Sequence, residues 1–224
     1  MNKENTTLVV SYYNSKEFLN IVDLFKDTCN IIVYNKSDND VEDSRFKTMK
    51  LPNLGKEAHN YLFHIVNNFD TLTDYTIFIQ DDTHNHIPNY EKFYNDCNNM
   101  ITNNIHFYVY PCGWRQGNSP GTRTIVNGVT NLHTLENHGA IGNYCNELNI
   151  KLPTKYTTNL CAFLICSKKS ILDNNKSEYE KIIEFCIEKH DLSVKNPSIH
   201  PFWFTNAFEH IWERLFNKAK YFSN

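Results

Sequence analysis

A chain of 224 residues with 41% hydrophobic and 21% charged content has the make-up of a soluble globular protein, long enough to bury a core without disulfide staples. A formal net charge of −3 without any basic stripe argues against a nucleic-acid partner, because a phosphate-backbone binder displays such a stripe. No apolar run approaches the roughly 20 residues that span a bilayer, and the polar start Met1-Asn2-Lys3-Glu4-Asn5 does not read as a secretory signal, so the expected setting is cytoplasmic with no membrane span.

The first third alternates strand and helix patterns. Leu8 to Tyr13 is apolar and β-prone, and Ser15 is placed to cap a helix from Lys16 or Glu17, with Phe18, Ile21, Val22, Leu24 and Phe25 at helical spacing. Asn30 to Tyr34 reads as a second strand, completing a βαβ unit that favours a parallel sheet. A polar loop, Ser37 to Asp43, precedes a helix from Lys56 to Phe69 carrying Ala58, Tyr61, Leu62, Ile65 and Val66. The strand Tyr75 to Gln80 then ends abruptly at the adjacent carboxylates Asp81 and Asp82. Pro88 suits the first turn of a helix running to Thr102, and Ile105 to Tyr110 reads as a strand.

Gly113 to Lys155 reads as a long irregular loop with Trp114, Arg115, Arg123, His133 and His138, expected to form an acceptor side or lid. Asn159 to Ser167 resumes as a strand, Ser177 to Lys189 as a helix, and Phe202 to Lys218 as a final aromatic helix. Seven scattered cysteines without a C-x-x-C pair read as buried thiols rather than as disulfides or structural zinc. Thirty-two asparagines against seven glycines reflect an AT-rich coding bias and carry no chemistry.

The acidic pair carries the strongest chemical signal. In open α/β sheets ligands bind beyond the carboxyl ends of the strands, so Asp81 and Asp82 sit where a crevice opens. Mg2+ or Mn2+ takes one or two carboxylates plus substrate phosphate oxygens, which suits a diphosphate ligand. Aspartate after a strand is also ordinary turn chemistry.

Leu8-Val9-Val10-Ser11-Tyr12-Tyr13-Asn14-Ser15 followed by Ile31-Ile32-Val33-Tyr34-Asn35-Lys36-Ser37 resembles the nucleotide-binding half of a GT-A glycosyltransferase, in which a later strand ends in an acidic metal motif. A second block, Leu51-Pro52-Asn53-Leu54-Gly55-Lys56-Glu57-Ala58-His59-Asn60-Tyr61-Leu62, resembles the signature of an uncharacterised domain family with the pattern Pro-Asn-x-Gly-Arg-Glu-x-His-x-Tyr-Leu. That likeness extends to Phe78-Ile79-Gln80, to Ala162–Ser167 and to Phe208–Phe216, with Lys56 where Arg is usual and Asn60 where Thr is usual. Together they imply a single GT-A-like, Rossmann-related α/β domain with a mostly parallel central sheet flanked by helices. Residues 1–112 would form the nucleotide-sugar and metal half, and 113–224 the acceptor half.

The implied activity is metal-dependent transfer of a sugar from a nucleotide diphosphate, a UDP-sugar in first place, to a hydroxyl of a glycan or protein acceptor. Asp81 and Asp82 would hold Mn2+ or Mg2+, with His200 or His210 as a further ligand. Tyr13, Asn14, Asn35 and Lys36 would contact the nucleotide, and Lys56 or Arg115 its phosphates. Glu209 is the first candidate for the base of an inverting enzyme and Glu57 the second, since an acceptor hydroxyl must lose a proton to a carboxylate in reach. Two other classes compete: a phosphoester hydrolase using Asp81, Asp82, His84 and His86, and an inactive carbohydrate-binding protein of the same fold.

Overall fold

The computed structural model describes residues 1–84, 86–111, 114–118, 123–126, 129–132, 145, 148–150, 155–159, 162–195, 208 and 211–217, with backbone alone for 114–118, 123–126, 129–132, 155–159 and 192–194. Its centre is β1 (Thr6–Tyr12), buried along its whole length. The run Leu8-Val9-Val10 has no polar face to offer water, so the strand is stable only with sheet on both sides and helices above and below. It pairs in parallel with β2 (Asn30–Asn35) through Val9↔Ile32 and with β4 (Tyr75–Gln80) through Val9↔Phe78. A short β3 (Lys47–Lys50) extends the sheet beyond β2, also in parallel.

Three helices lie between these strands and the next. The first, α1 (Phe18–Phe25), buries Phe18, Ile21, Val22 and Phe25 along one stripe. Helix α2 (Lys56–Asn67) precedes β4, and α3 (Tyr90–Thr102) follows it. The chain then forms β5 (Phe107–Val109) and a second sheet built of β6 (Trp114–Asn118), β7 (Arg123–Val126), β8 (Val129–Leu132) and β9 (Lys155–Asn159). This sheet is antiparallel, in the order β8-β7-β6-β9. Strand β10 (Leu164–Ser167) returns to the first sheet, followed by α4 (Lys168–Leu172), α5 (Lys176–Lys195) and a helical turn and a half at 211–216.

The main sheet has the order β3-β2-β1-β4-β10-β5. Strand β10 runs antiparallel to both neighbours, pairing Leu164↔Phe78 on one side and Leu164↔Val109 on the other. The sheet is therefore mixed, which corrects the expectation of a mostly parallel one. The neighbour of β4 is a strand that returns from far along the chain, and an apolar run such as Leu164-Ile165-Cys166 carries no mark of its direction.

Other boundaries move for local reasons. Ser15 does not cap α1, whose first residue is Phe18; its hydroxyl accepts from Glu17 N at 3.3 Å in the approach to the helix. Asn89, rather than the Pro88 turn, caps α3 by accepting from Lys92 N at 2.8 Å. The stretch expected to be irregular, Gly113 to Lys155, holds three strands and the start of a fourth, and the single strand expected over Asn159 to Ser167 is the end of β9 and then β10.

Candidate functional site

In the order β3-β2-β1-β4 the chain moves outward from β1 in one direction and then crosses to its other side. The switch point therefore lies between β1 and β4, and open α/β sheets bind their ligands beyond the carboxyl ends of the strands at such a point. Two loops meet there: Tyr13 to Ser15 after β1, and Asp81 onward after β4.

Asp81 joins them. Its Oδ2 accepts the backbone N–H groups of Tyr13 at 2.9 Å, Asn14 at 2.8 Å and Ser15 at 2.7 Å, while Oδ1 accepts from Asp82 N at 3.1 Å. The residue is only 8% exposed. A carboxylate oxygen filled by three donors is committed to holding backbone, and these charge-assisted bonds are the strong kind. A second tie runs from His84 N to Glu17 Oε2 at 2.8 Å, so the loop after β4 is fastened to the entry of α1 as well.

The adjacent Asp82 is half-buried, and in the clamped loop Asn14 is exposed and Tyr13 is 56% exposed, the most open large apolar side chain among the described residues. The donor chemistry fits a hard divalent cation in one respect: Asp82 offers oxygen, and Mg2+ keeps most of its shell for water and phosphate. Among the described residues no group of three or more His, Cys, Asp or Glu gathers as a metal cage. Glu209, His210 and His200 lie outside the described residues, as does the side chain of Arg115.

The expected nucleotide contacts on β2 have other employment. Asn35 is buried at 1% exposure; its amide donates to Asn39 O at 2.8 Å and its Oδ1 accepts from Ser37 N at 2.8 Å, which builds the turn after the strand. Lys36 is 5% exposed, and its Nζ donates to the carbonyls of Leu54 and Lys56. Burial holds its ammonium down at about 7, with Glu57 pulling the other way.

Those carbonyls belong to the start of α2. Gly55 has φ +53° and Lys56 φ +47°, two left-handed residues in succession of which the second is not a glycine. A Cβ on Gly55 would lie 3.1 Å from His59 Cβ and 3.5 Å from Cys186 Cβ, so this turn is pressed against α5. Glu57 follows in the first turn of the helix. Burial pushes its carboxyl above the usual carboxylate range, against its own backbone N–H and the charges of Lys56, Lys36 and His86. Because His86 belongs to the loop after β4, Glu57 and the acidic pair border one region.

Below this rim two polar side chains of α2 tie the helix into the fold, while His59 Nδ1 and Asn60 Oδ1 are buried without a hydrogen-bond partner. Asn60 donates to Ser11 Oγ at 2.7 Å, fixing α2 on β1. Tyr61 donates to Ala162 O at 2.8 Å, fixing α2 to the approach of β10. His59 is 4% exposed, and burial, followed by Lys36, depresses its imidazole to about 4.

Sequence reasoning alone did not reach the Glu17 to His84 tie or the Asn60 to Ser11 bond. Both join residues far apart in the chain, and neither pair has a motif of its own. The left-handed turn had one legible signal, Gly55 immediately before an apolar helical pattern.

No curated protein matches this chain. Residues 8–224 match the model of a family described as a protein of unknown function, DUF3431, and the chain belongs to that family.

Proposed function

We propose that this member of the DUF3431 family is a metal-dependent glycosyltransferase that takes its sugar from a nucleotide diphosphate, with a UDP-sugar as the first donor to test. One observation carries the reading: at the switch point, buried Asp81 clamps the loop Tyr13 to Ser15, which brings exposed Tyr13 and Asn14 to the strand end where half-buried Asp82 follows Asp81 in the chain. A rigid loop, an aromatic face and an oxygen ligand are what a nucleoside diphosphate and its cation need.

In this reading Asp82 holds Mn2+ or Mg2+, which when bound would neutralise charge on the leaving diphosphate. Tyr13 offers a face for the base, and Asn14 hydrogen bonds. Glu57 receives the proton of the acceptor hydroxyl as that oxygen bonds to the anomeric carbon and the bond to the diphosphate breaks. Its raised affinity for protons suits it to that task. Glu209, the first candidate on sequence, lies outside the described residues, and Glu57 is the candidate base whose surroundings are described. Asp81, Asn35 and Lys36 support the site from behind, and Lys56 stands at the rim as the candidate phosphate partner. A glycan or protein hydroxyl is the acceptor. Among the described residues no helix is long and apolar enough to cross a membrane.

Calorimetric titration of UDP and GDP into the protein, with Mn2+ and then with EDTA, tests this reading. The expected result is metal-dependent binding of one nucleotide that disappears in Asp82→Ala while the melting temperature is kept. Equal affinity in Asp82→Ala, or no binding under any condition, would overturn it.

A further inference from the structure

We propose that Lys36 is the positioning residue of the crevice: its Nζ ties the end of β2 to the left-handed turn Gly55-Lys56 and so sets the direction in which α2 presents Glu57. The inference rests on the reading of Glu57 as a base of the site and deepens it.

Three observations converge. Lys36 is buried at the carboxyl end of β2, at 5% exposure, where a lysine in a merely solvating role would not be. Its nitrogen donates to two carbonyls, those of Leu54 and Lys56, which flank Gly55. Its own backbone N–H donates to Tyr12 O at 2.9 Å, so the residue is locked to β1, the strand that leads into the clamped loop. One side chain therefore spans from the strand ends to the first residue of α2.

The turn it holds is strained. A left-handed φ is disfavoured at a residue with a Cβ, which crowds the following carbonyl, and at Lys56 (φ +47°) it persists in the absence of any Asn or Asp chemistry to favour it. Strain of this kind survives only where surrounding contacts over-determine it, and it concentrates at functional sites. The two carbonyl contacts of Lys36 are such contacts. What the strained turn achieves is the entry angle of α2, on whose first turn Glu57 sits. A second lysine assists: Lys50 Nζ donates to Ser37 O and braces the loop that follows Lys36.

The alternative is that Lys36 only fills space and caps carbonyls, with no bearing on Glu57. Lys36→Met keeps the length of the side chain and removes the donors, and Lys36→Arg keeps a cation and donors at a different reach. Two readings separate the roles: amide hydrogen exchange at residues 56–58 relative to β1 and β4, and the titration of the Glu57 carboxyl followed by carbon-13 NMR with Glu57→Gln as the assignment control. Positioning predicts that Lys36→Met speeds exchange at residues 56–58 by about tenfold or more relative to the strands and moves the Glu57 titration, while Lys36→Arg restores the titration in part. Exchange raised uniformly across the sheet, or a Glu57 titration unmoved in both variants, would overturn it. Should Lys36→Met fail to fold, Lys36→Gln, whose shorter side chain cannot span to both carbonyls, is measured in its place: local loosening at residues 56–58 supports the proposal, and wild-type exchange there refutes it. None of these readings requires a nucleotide, so the Lys36 link can fail while donor binding stands, and the reverse.

Discussion

Asp81 Oδ2 lies 2.7 Å from the backbone nitrogen of Ser15, a residue 66 positions earlier in the chain. The bond closes a carboxylate cradle in which Tyr13 and Asn14 also donate. Two adjacent aspartates thus differ in setting: Asp81 is buried and builds the loop, and Asp82 is half-buried.

That difference predicts opposite behaviour for two neighbouring substitutions. Asp81→Ala orphans four backbone donors, those of Tyr13, Asn14, Ser15 and Asp82, and should destabilise the protein by about 3 kcal/mol, read as a lower urea midpoint at unchanged slope. Asp82→Ala leaves the clamp on the loop Tyr13 to Ser15 in place and should unfold within about 0.5 kcal/mol of the parent, while losing metal-dependent nucleotide affinity. Equal destabilisation by both would refute the difference.

The turn at the start of α2 predicts a reversal of the usual glycine rule. Gly55→Ala places a methyl group 3.1 Å from His59 Cβ in a left-handed backbone and should cost about 1–2 kcal/mol. Lys56→Gly relieves φ +47° at the next position and should stabilise by up to about 1 kcal/mol. Thermal unfolding of both variants checks the pair, and a stabilised Gly55→Ala would show that the turn is not as tight as described.

Much of this arrangement was legible in the sequence because it depends on local pattern. The strand ending at Gln80 and the helix starting at Lys56 agree with the observed elements, since an uninterrupted apolar run and a 3.6-residue stripe each specify one structure. What was not legible depends on pairing at a distance. Strand β3 is half-exposed at Thr48 and Met49 and exposed at its ends, so it has almost no apolar signature and exists because β2 offers it an edge. The reversed direction of β10 is decided by its partners. At the site the same rule holds: the acidic pair announced itself, yet which aspartate faces inward follows from three amides on another loop. Asn35 and Lys36 stood at the expected strand end, and only the turns around them reveal that their side chains are spent internally.

The tie between Glu17 and His84 concerns the site more than the fold. Glu17 Oε2 accepts from His84 N at 2.8 Å in an exposed setting, and exposed bonds contribute little to global stability. Glu17→Ala should therefore shift the melting temperature hardly at all. It should nevertheless weaken metal-dependent nucleotide binding by about tenfold, because the loop carrying Asp82 loses its anchor to α1. Calorimetry on the variant reads this directly; parent-like affinity would mean that Asp81 alone holds the loop.

Acid lability should arise from two histidines that the fold keeps neutral. Burial depresses His59 and His64 from 6.5 to about 4, and His64 shares a 3.0 Å hydrogen bond with Tyr34. For a group whose folded pKa is lowered, the stabilisation is present above the unfolded value and is lost as pH falls through the folded one. Stability should therefore decline from pH 6.5 toward pH 4, by an amount on the order of 3 kcal/mol for each histidine. Lys36 has the same sign at higher pH: lowered from 10.5 to about 7, its contribution is present above 10.5 and fades as pH drops to 7. Glu57 has the opposite sign, because its carboxyl is raised, and its contribution is present at low pH and fades as pH climbs through the raised value. Urea midpoints for the parent and His64→Asn between pH 4 and 8 isolate the first effect. The variant keeps a polar group facing Tyr34 and has no imidazole to charge, so its profile should be flatter between pH 6.5 and 4. Parallel profiles would show that His64 does not titrate in that window.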